Sequence, residues 1–266
     1  MTAGTAARSA RRPALAGAPG RGKKAAQRIA DYIRDLIGKG ELREGDMLPA
    51  EATLLQQFEV SRPTLREAFR ILEAESLLVT RQGASGGVFV TRPDLSVASR
   101  AIGLYLQLSG TTIADVFTAL ELVEPLTVRL LTHSHTRKDI EDLRAAIDNL
   151  SAVSRVENPT EAMWSSASYH FHQMLWDRCG NTTLAVQVSV LRELLRAQWD
   201  AGIRYAIEHG DHVRQIRQSC RSYSRAVDLI EAGDADAAEY HWRRHTRTSG
   251  RRIIGASGTE TVNPIR

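Results

Sequence analysis

Val60-Ser61-Arg62-Pro63-Thr64-Leu65-Arg66-Glu67-Ala68-Phe69-Arg70-Ile71-Leu72 carries two stripes at helical spacing. Leu65, Ala68, Phe69 and Leu72 fall on one side, an apolar face that needs a core to cover it. Arg62, Arg66 and Arg70 recur every fourth residue and share a second side, offset from the first. Ser61 is placed to cap the helix, its hydroxyl accepting from a free N–H two or three residues on. Pro63 falls in the first turn, where a missing N–H costs little. A row of arginines on a helix is by itself an ordinary solvated face, and the flanking sequence changes its meaning.

Upstream, Ile29, Ile33, Leu36 and Ile37 predict a helix ending near Lys39, where Gly38 and Gly40 stop it. A loop over 41–49, punctuated by Gly45 and Pro49, leads to a short helix of about 50–58 that buries Leu54, Leu55 and Phe58. Downstream, the β-prone runs Leu78–Arg81 and Val88–Thr91 flank a glycine-rich turn and predict a hairpin. Three helices and a hairpin make a winged helix-turn-helix over residues 23–92. The third helix is of a size to enter a major groove about 12 Å wide, and arginine can clamp guanine O6 and N7 or a phosphate. Ser61 and Thr64 add hydroxyls at the helix start. Charge agrees: residues 1–92 hold 15 Lys and Arg against 10 Asp and Glu, and the remainder 20 against 21. A basic third on a near-neutral remainder suits a polyanion partner. Residues 1–22, almost without large apolar side chains but with Arg8, Arg11, Arg12 and Arg21, are expected to be a disordered basic arm.

From Asp94 the periodicity becomes helical throughout. About seven helices are expected, over 95–109, 112–134, 137–154, 159–179, 182–208, 211–232 and 235–254, with breaks such as Asn158-Pro159 and Gly180-Asn181. The fold class is therefore mostly α: a winged helix-turn-helix followed by an all-helical domain over 93–254 and a flexible tail over 255–266. A length of 266 residues suits about two domains. No apolar run reaches the roughly 20 residues that span a bilayer, and the basic N-terminus lacks an apolar h-region. Cys179 and Cys220 are too few for a disulfide framework, so a reducing, cytoplasmic location is expected.

Residues 25–91 resemble the winged helix-turn-helix domain of the GntR superfamily of bacterial transcription regulators. The match is carried by Gly45-Asp46-Met47-Leu48-Pro49-Ala50-Glu51, by Val60 to Ala68, by Leu72, and by Gly83 with Gly86-Gly87-Val88-Phe89-Val90. The helical remainder resembles the FCD effector domain, which implies the FadR-like subfamily. The resemblance implies DNA contacts at Ser61, Arg62, Thr64 and Arg66, with Arg70 on the same face, and a wing tip at Gln82, Gly83 and Ala84. The chain departs from the family at Ala52, where an arginine is common, at Pro63 and at Ala84, so no relative's operator sequence can be copied.

The same resemblance bears on a cofactor. Many FCD domains hold a divalent metal through an aspartate, a histidine four residues later, and one histidine from each of the last two helices. Aligned here, His172 and His245 match, while Ser168 and Tyr223 stand at the other two positions. His241, one turn before His245, is the better substitute; His170 lies about 200° around the helix from His172. No metal is therefore expected, with His172 and His245 the ligands if one binds, and the alternative is two pocket histidines bonded to Tyr223 or Ser168. Carboxylate-sensing relatives also carry an arginine four residues before the position of Glu124; here it is Leu120. Losing both features implies an apolar cavity lined by Phe117, Leu120, Val123, Val190, Leu194 and Trp199, and an effector such as a fatty acyl-CoA.

The expectation is thus a ligand-responsive regulator, a repressor binding a near-palindromic operator on double-stranded DNA as a homodimer, with a small-molecule effector pocket that includes Leu120, Ser168, His172, Tyr223, His241 and His245. Two alternatives stand beside it: a metal-dependent carboxylate-sensing regulator of the same family, and a metalloenzyme built on the histidines. Against the enzyme, no HExxH motif, paired catalytic carboxylates or oriented nucleophile can be placed.

Overall fold

The computed structural model describes residues 23–83, 86–92, 95–254 and 259–263. The expected basic arm (1–22), Ala84 at the wing tip, Pro93-Asp94 of the interdomain linker, and most of the expected tail lie outside them. Among the described residues are eleven helices and two strands, and the chain divides into two compact units between Val97 and Ala98.

In the first unit, α1 (Lys23–Gly38), α2 (Glu51–Phe58) and α3 (Arg62–Ala74) precede β1 (Leu78–Arg81) and β2 (Gly87–Val90). The apolar stripes meet: Ile29, Ile33, Leu54, Phe58, Leu65 and Leu72 form one fully covered core. Arg34 on α1 clamps Glu75 at the end of α3 with two hydrogen bonds of 2.9 and 2.7 Å. The strands pair antiparallel, Leu78 opposite Val90 and Arg81 opposite Gly87. The loop before α2 joins them: Leu48 N–H donates to Val88 O, Val90 N–H to Asp46 O, and Met47 bridges Phe89. A Cβ on Gly87 would sit 3.0 Å from the Met47 sulfur, so glycine lets this loop lie against the wing. Ser61 occupies the cap position, but its hydroxyl bonds that of Thr64 at 2.9 Å rather than a helix N–H.

The second unit is all-helical: after α4 (Leu95–Leu108), whose first turn precedes the division, come α5 (Ile113–Ser134), α6 (Arg137–Val153), α7 (Glu161–Asp177), α8 (Thr182–Leu194), α9 (Arg196–Glu208), α10 (His212–Glu231) and α11 (Ala235–Ile254). Side-chain caps start several of these helices: Thr112 accepts from Asp115 N, Asn181 accepts from Leu184 N, and Thr136 forms a reciprocal box with Asp139. The expected single helix over 182–208 is two. Leu195 (φ −101°, ψ 2°) leaves the helical ladder, its N–H bonding Arg192 O three residues back. No glycine or proline marks this break, and the apolar period runs through it.

Two apolar clusters fill the unit. One gathers α6, α7, α10 and α11 around Phe171, Tyr223 and Trp242. The other packs Phe117, Leu120, Trp176, Val190 and Leu194, with Val123 and Trp199 against it. The segment 259–263 belongs to the second cluster and corrects the expectation of a free tail. Ile113 N–H donates to Glu260 O, Val262 N–H donates to Thr111 O, and Val262 is fully buried. A buried valine and two satisfied backbone groups tie this stretch to the start of α5.

Candidate functional site

On α3 the expected DNA-reading face is open. Arg62, Arg66 and Arg70 keep 76%, 68% and 76% of their side-chain surface exposed. Glu51, at the start of α2, approaches Arg62 and Arg66 only loosely, at 4.0 and 3.8 Å. Ser61 is exposed and Thr64 half-buried. Gln82 and Gly83 are exposed at the hairpin end, where Gly83 takes φ +113°. A groove of about 450 Å³ runs between α3 and the wing, lined in part by Arg66, Arg70, Thr80, Gly86 and Gly87. Arg81, not singled out in the sequence, stacks its guanidinium over Phe89 at 4.8 Å.

The second unit holds a buried polar network beside a proline-containing turn of α5. Pro125 lies inside α5 and has no N–H for the carbonyl of Glu121, one turn back. Arg243 of α11 donates to that carbonyl at 3.3 Å, and Arg247 pairs with the Glu121 carboxylate. Three residues after Glu121 on the same helix, Glu124 is fully buried. Glu124 Oε1 accepts from Arg192 of α8, and His172 Nδ1 of α7 lies 2.9 Å from the same oxygen and 2.6 Å from Arg192 Nη2. His172 Nε2 and the Tyr223 hydroxyl share a hydrogen bond at 2.9 Å, and the Tyr223 and Ser168 hydroxyls share another at 3.0 Å. One chain of hydrogen bonds thus joins α5, α7, α8 and α10. His245 stacks on Trp242 and lies 5.7 Å, ring to ring, from His172.

Electrostatics follow from this geometry. Burial would raise the Glu124 pKa, but the Arg192 charge and the His172 hydrogen bond outweigh it and bring it down to about 2. Burial, reinforced by the Arg192 charge, lowers His172 to about 4 despite Glu124. Burial raises Tyr223 to about 12 and holds His245 well below the usual histidine range. At neutral pH the network is one carboxylate, one guanidinium and neutral partners.

The metal implied by the family resemblance does not fit these residues. Both ring nitrogens of His172 are engaged, Ser168 and Tyr223 replace two ligands, and a guanidinium occupies the carboxylate nearby. Among the described residues no group of three His, Cys, Asp or Glu is arranged to hold a metal ion. His241 is used otherwise, its Nε2 within 2.9 Å of Ser222 O and 3.2 Å of Ser222 Oγ. His170 is exposed.

Three adjoining cavities open beside the network. One of about 400 Å³ is lined by Ser168, Tyr169, His172, Arg192, Arg196 and Trp199 among others. The next, about 740 Å³, shares Ser168, Trp199 and Ile203 with it and adds Trp164, Arg214 and Tyr223. A smaller one of about 200 Å³ includes His241, Arg244 and His245. Of the expected pocket residues, Ser168, His172, Tyr223, His241 and His245 line these spaces, and Leu120 does not. Of the apolar cavity expected around these residues, Phe117, Leu120, Val190 and Leu194 are buried in packed core with Val123 half-buried against them, while Trp199 lines two of the cavities described above. The sequence also missed Arg192. Its one signal is a charged residue in the apolar run Val190-Leu191-Arg192-Glu193-Leu194.

Comparison with known proteins agrees with the fold. Residues 25–90 match the model of bacterial regulatory proteins of the gntR family, and residues 115–248 match the FCD domain. The HTH-type transcriptional repressor NanR of Enterobacter sp. (strain 638) is 27% identical over 246 residues, covering 91% of this chain and 88% of its own length. The HTH-type transcriptional regulator YcbG of Bacillus subtilis is 24% identical over 225 residues, covering 85% and 88%. The solved Streptococcus agalactiae GntR superposes with a TM-score of 0.63 at 21% identity, over 85% of this chain and 99% of that one, a likeness of fold. No helix among the described residues is long and apolar enough to cross a membrane. The chain therefore belongs to the GntR family of bacterial transcription regulators, pairing a winged helix-turn-helix DNA-binding domain with an FCD domain, and it is a regulator, not an enzyme.

Proposed function

We propose that the protein is a ligand-responsive repressor that binds a near-palindromic operator as a homodimer. Its α3 face would enter the major groove through Arg62, Arg66 and Arg70, with Ser61 and Thr64 on phosphate and Gln82 and Gly83 of the wing alongside. The observation that carries this reading is the exposure of three arginines on one face of a helix whose other face is fully covered. The name of the NanR relative supports repression. A two-fold operator would follow from two copies presenting identical helices to half-sites about one turn apart. The effector would bind in the cavities beside His172 and act by favouring one arrangement of the two DNA-binding domains over another. A chain that reads chromosomal DNA would work in the cytoplasm.

The closed core at Leu120 weighs against a long acyl chain threading α5 and α8, so a fatty acyl-CoA is not the effector favoured here. Selection of duplexes from a randomised pool tests the regulator reading. Wild-type protein should enrich a near-palindrome that survives excess competitor DNA. Enrichment of no motif would leave only non-specific coating and reject specific operator binding.

A further inference from the structure

We propose that the outer face of α10 is a second DNA-binding surface, one that holds the phosphate backbone of a duplex whatever its sequence. It goes beyond the regulator reading: the gntR match that carries DNA binding ends at residue 90, and α10 lies within the FCD match. Arg214, Arg217, Arg221 and Arg225 recur along α10 at steps of three and four residues, and all are exposed. At about 100° per residue they fall within about 80° of one another, opposite the buried Ile216, Tyr223 and Val227. From Arg217 to Arg225 the row advances about 12 Å.

What sets this face apart is that its charge is not compensated. Elsewhere in the unit arginines hold acids: Arg144 pairs with Asp228 and Glu231, Arg178 with Asp139 and Asp142, and Arg247 with Glu121. Arg214 is held by Asp211 at 2.9 Å, and Asp228, which closes the row, by Arg144. Arg217, Arg221 and Arg225 have no hydrogen bond, ion pair or ring contact among the described residues, and Asp148, exposed on the adjoining α6, pairs with none of them. Cations four residues apart on one helix face repel each other, so the row weakens α10 unless an anion outside the chain answers it. The surface continues onto α11. His241 bonds Ser222, and Arg244, one turn on, exposed and likewise without a partner among the described residues, shares with Gln218 and Ser222 a polar cleft that no carboxylate lines. The composition of the face selects the partner. Guanidinium offers paired donors to phosphate, and a straight row of them suits an anion repeated along a line. Among the arginines stand only Gln218, Ser224 and Asp228. A bilayer surface would call for aliphatic or aromatic side chains beside the cations, and a single strand for rings on which bases stack. A duplex backbone needs neither.

The test uses the full-length protein and the fluorescence anisotropy of a random-sequence duplex, titrated across a range of salt. Arg217→Gln/Arg221→Gln/Arg225→Gln should weaken binding and lower the slope of log affinity against log salt by about 2–3, because each lost phosphate contact releases about one counterion fewer. Its Tm should stay at or above that of the wild type, since repulsion along α10 is relieved. A matched variant, Arg137→Gln/Lys138→Gln/Arg155→Gln, removes the same net charge from exposed positions on α6 and just after it, and should leave the slope in place. Arg62→Ala/Arg66→Ala/Arg70→Ala strips α3. That protein should still bind the duplex, and adding the three α10 substitutions should abolish what remains. Motif selection by the wild-type protein depends on α3, so failure of the α10 proposal and failure of the regulator reading are told apart. An unchanged slope in the α10 variant, an equal loss in the α6 variant, or no α10-dependent binding once α3 is stripped would each overturn the proposal. So would a larger loss on single-stranded DNA or on phosphatidylserine vesicles than on the duplex, which would assign the face to another polyanion.

Discussion

Arg66 shows how much one side chain can carry. It projects from the second turn of α3, two-thirds exposed, with the Glu51 carboxylate 3.8 Å away. A bidentate contact to guanine would make Arg66→Ala cost about 1–3 kcal/mol of operator binding and relax the sequence preference at one position. A pure phosphate contact would weaken all sequences alike and flatten the salt dependence. Titrations against the selected duplex and a point-mutated duplex, at two salt concentrations, distinguish the two; unchanged affinity would remove Arg66 from the interface. The buried network makes a different kind of prediction. His172 titrates near 6.5 in an unfolded chain and near 4 here, so the unfolded state takes up a proton first as pH falls, and stability declines across that window. Glu124 is depressed from 4.5 to about 2, so its contribution is held above the unfolded value and lost as pH drops through the lower one. Melting temperature should therefore fall continuously from pH 7 toward pH 3. His172→Gln should flatten the upper part of that fall, and a profile unaltered by the substitution would show that the loss comes from elsewhere.

At the scale of elements, close approach is set by glycine and proline. Gly250 on α11 is buried against α5, and a Cβ there would overlap the Phe117 ring, itself held in the core. Gly250→Ala must push the helices apart or rotate the ring. A cost of about 1–3 kcal/mol is expected from such overpacking, read as a lowered Tm with the fold retained by circular dichroism. An unshifted Tm would mean that the helices part freely. In the wing, a Cβ on Gly86 would lie 2.6 Å from Arg81 O and 2.8 Å from Gly83 O. Gly86→Ala should distort the hairpin end and weaken operator binding while leaving the Tm of the helical unit in place; full affinity would show that the wing does not touch DNA. The helices themselves were largely legible, because each carries its own apolar stripe and several carry their own caps, as at Thr136 and Asn181. The split at Leu195 was not, because it is made by backbone torsion without any residue that enforces it.

Across the whole molecule, a homodimer is expected from the symmetry that a near-palindrome demands. Native mass spectrometry of the full chain should report twice the 29.4 kDa subunit mass, with one two-fold DNA site per pair. A monomer that retained full operator affinity would contradict it. The two units were also separable by eye in the sequence, since glycine-punctuated, basic sequence gives way to helical periodicity near residue 94.

The sequence by itself determined what is local: most of the helices, the hairpin and the arginine row on α3. Each of these is written within a few turns of chain, in periodicity, caps and spacing. Only the tertiary structure decided what lies between distant segments. It brought Arg192 to Glu124 across 68 positions, closed the core around Leu120, and laid Glu260 to Val262 against Thr111 to Ile113. Such contacts have no period to detect. They arise because a buried charge must find its partner and a buried backbone group its bond, and the packed helices settle which one is within reach.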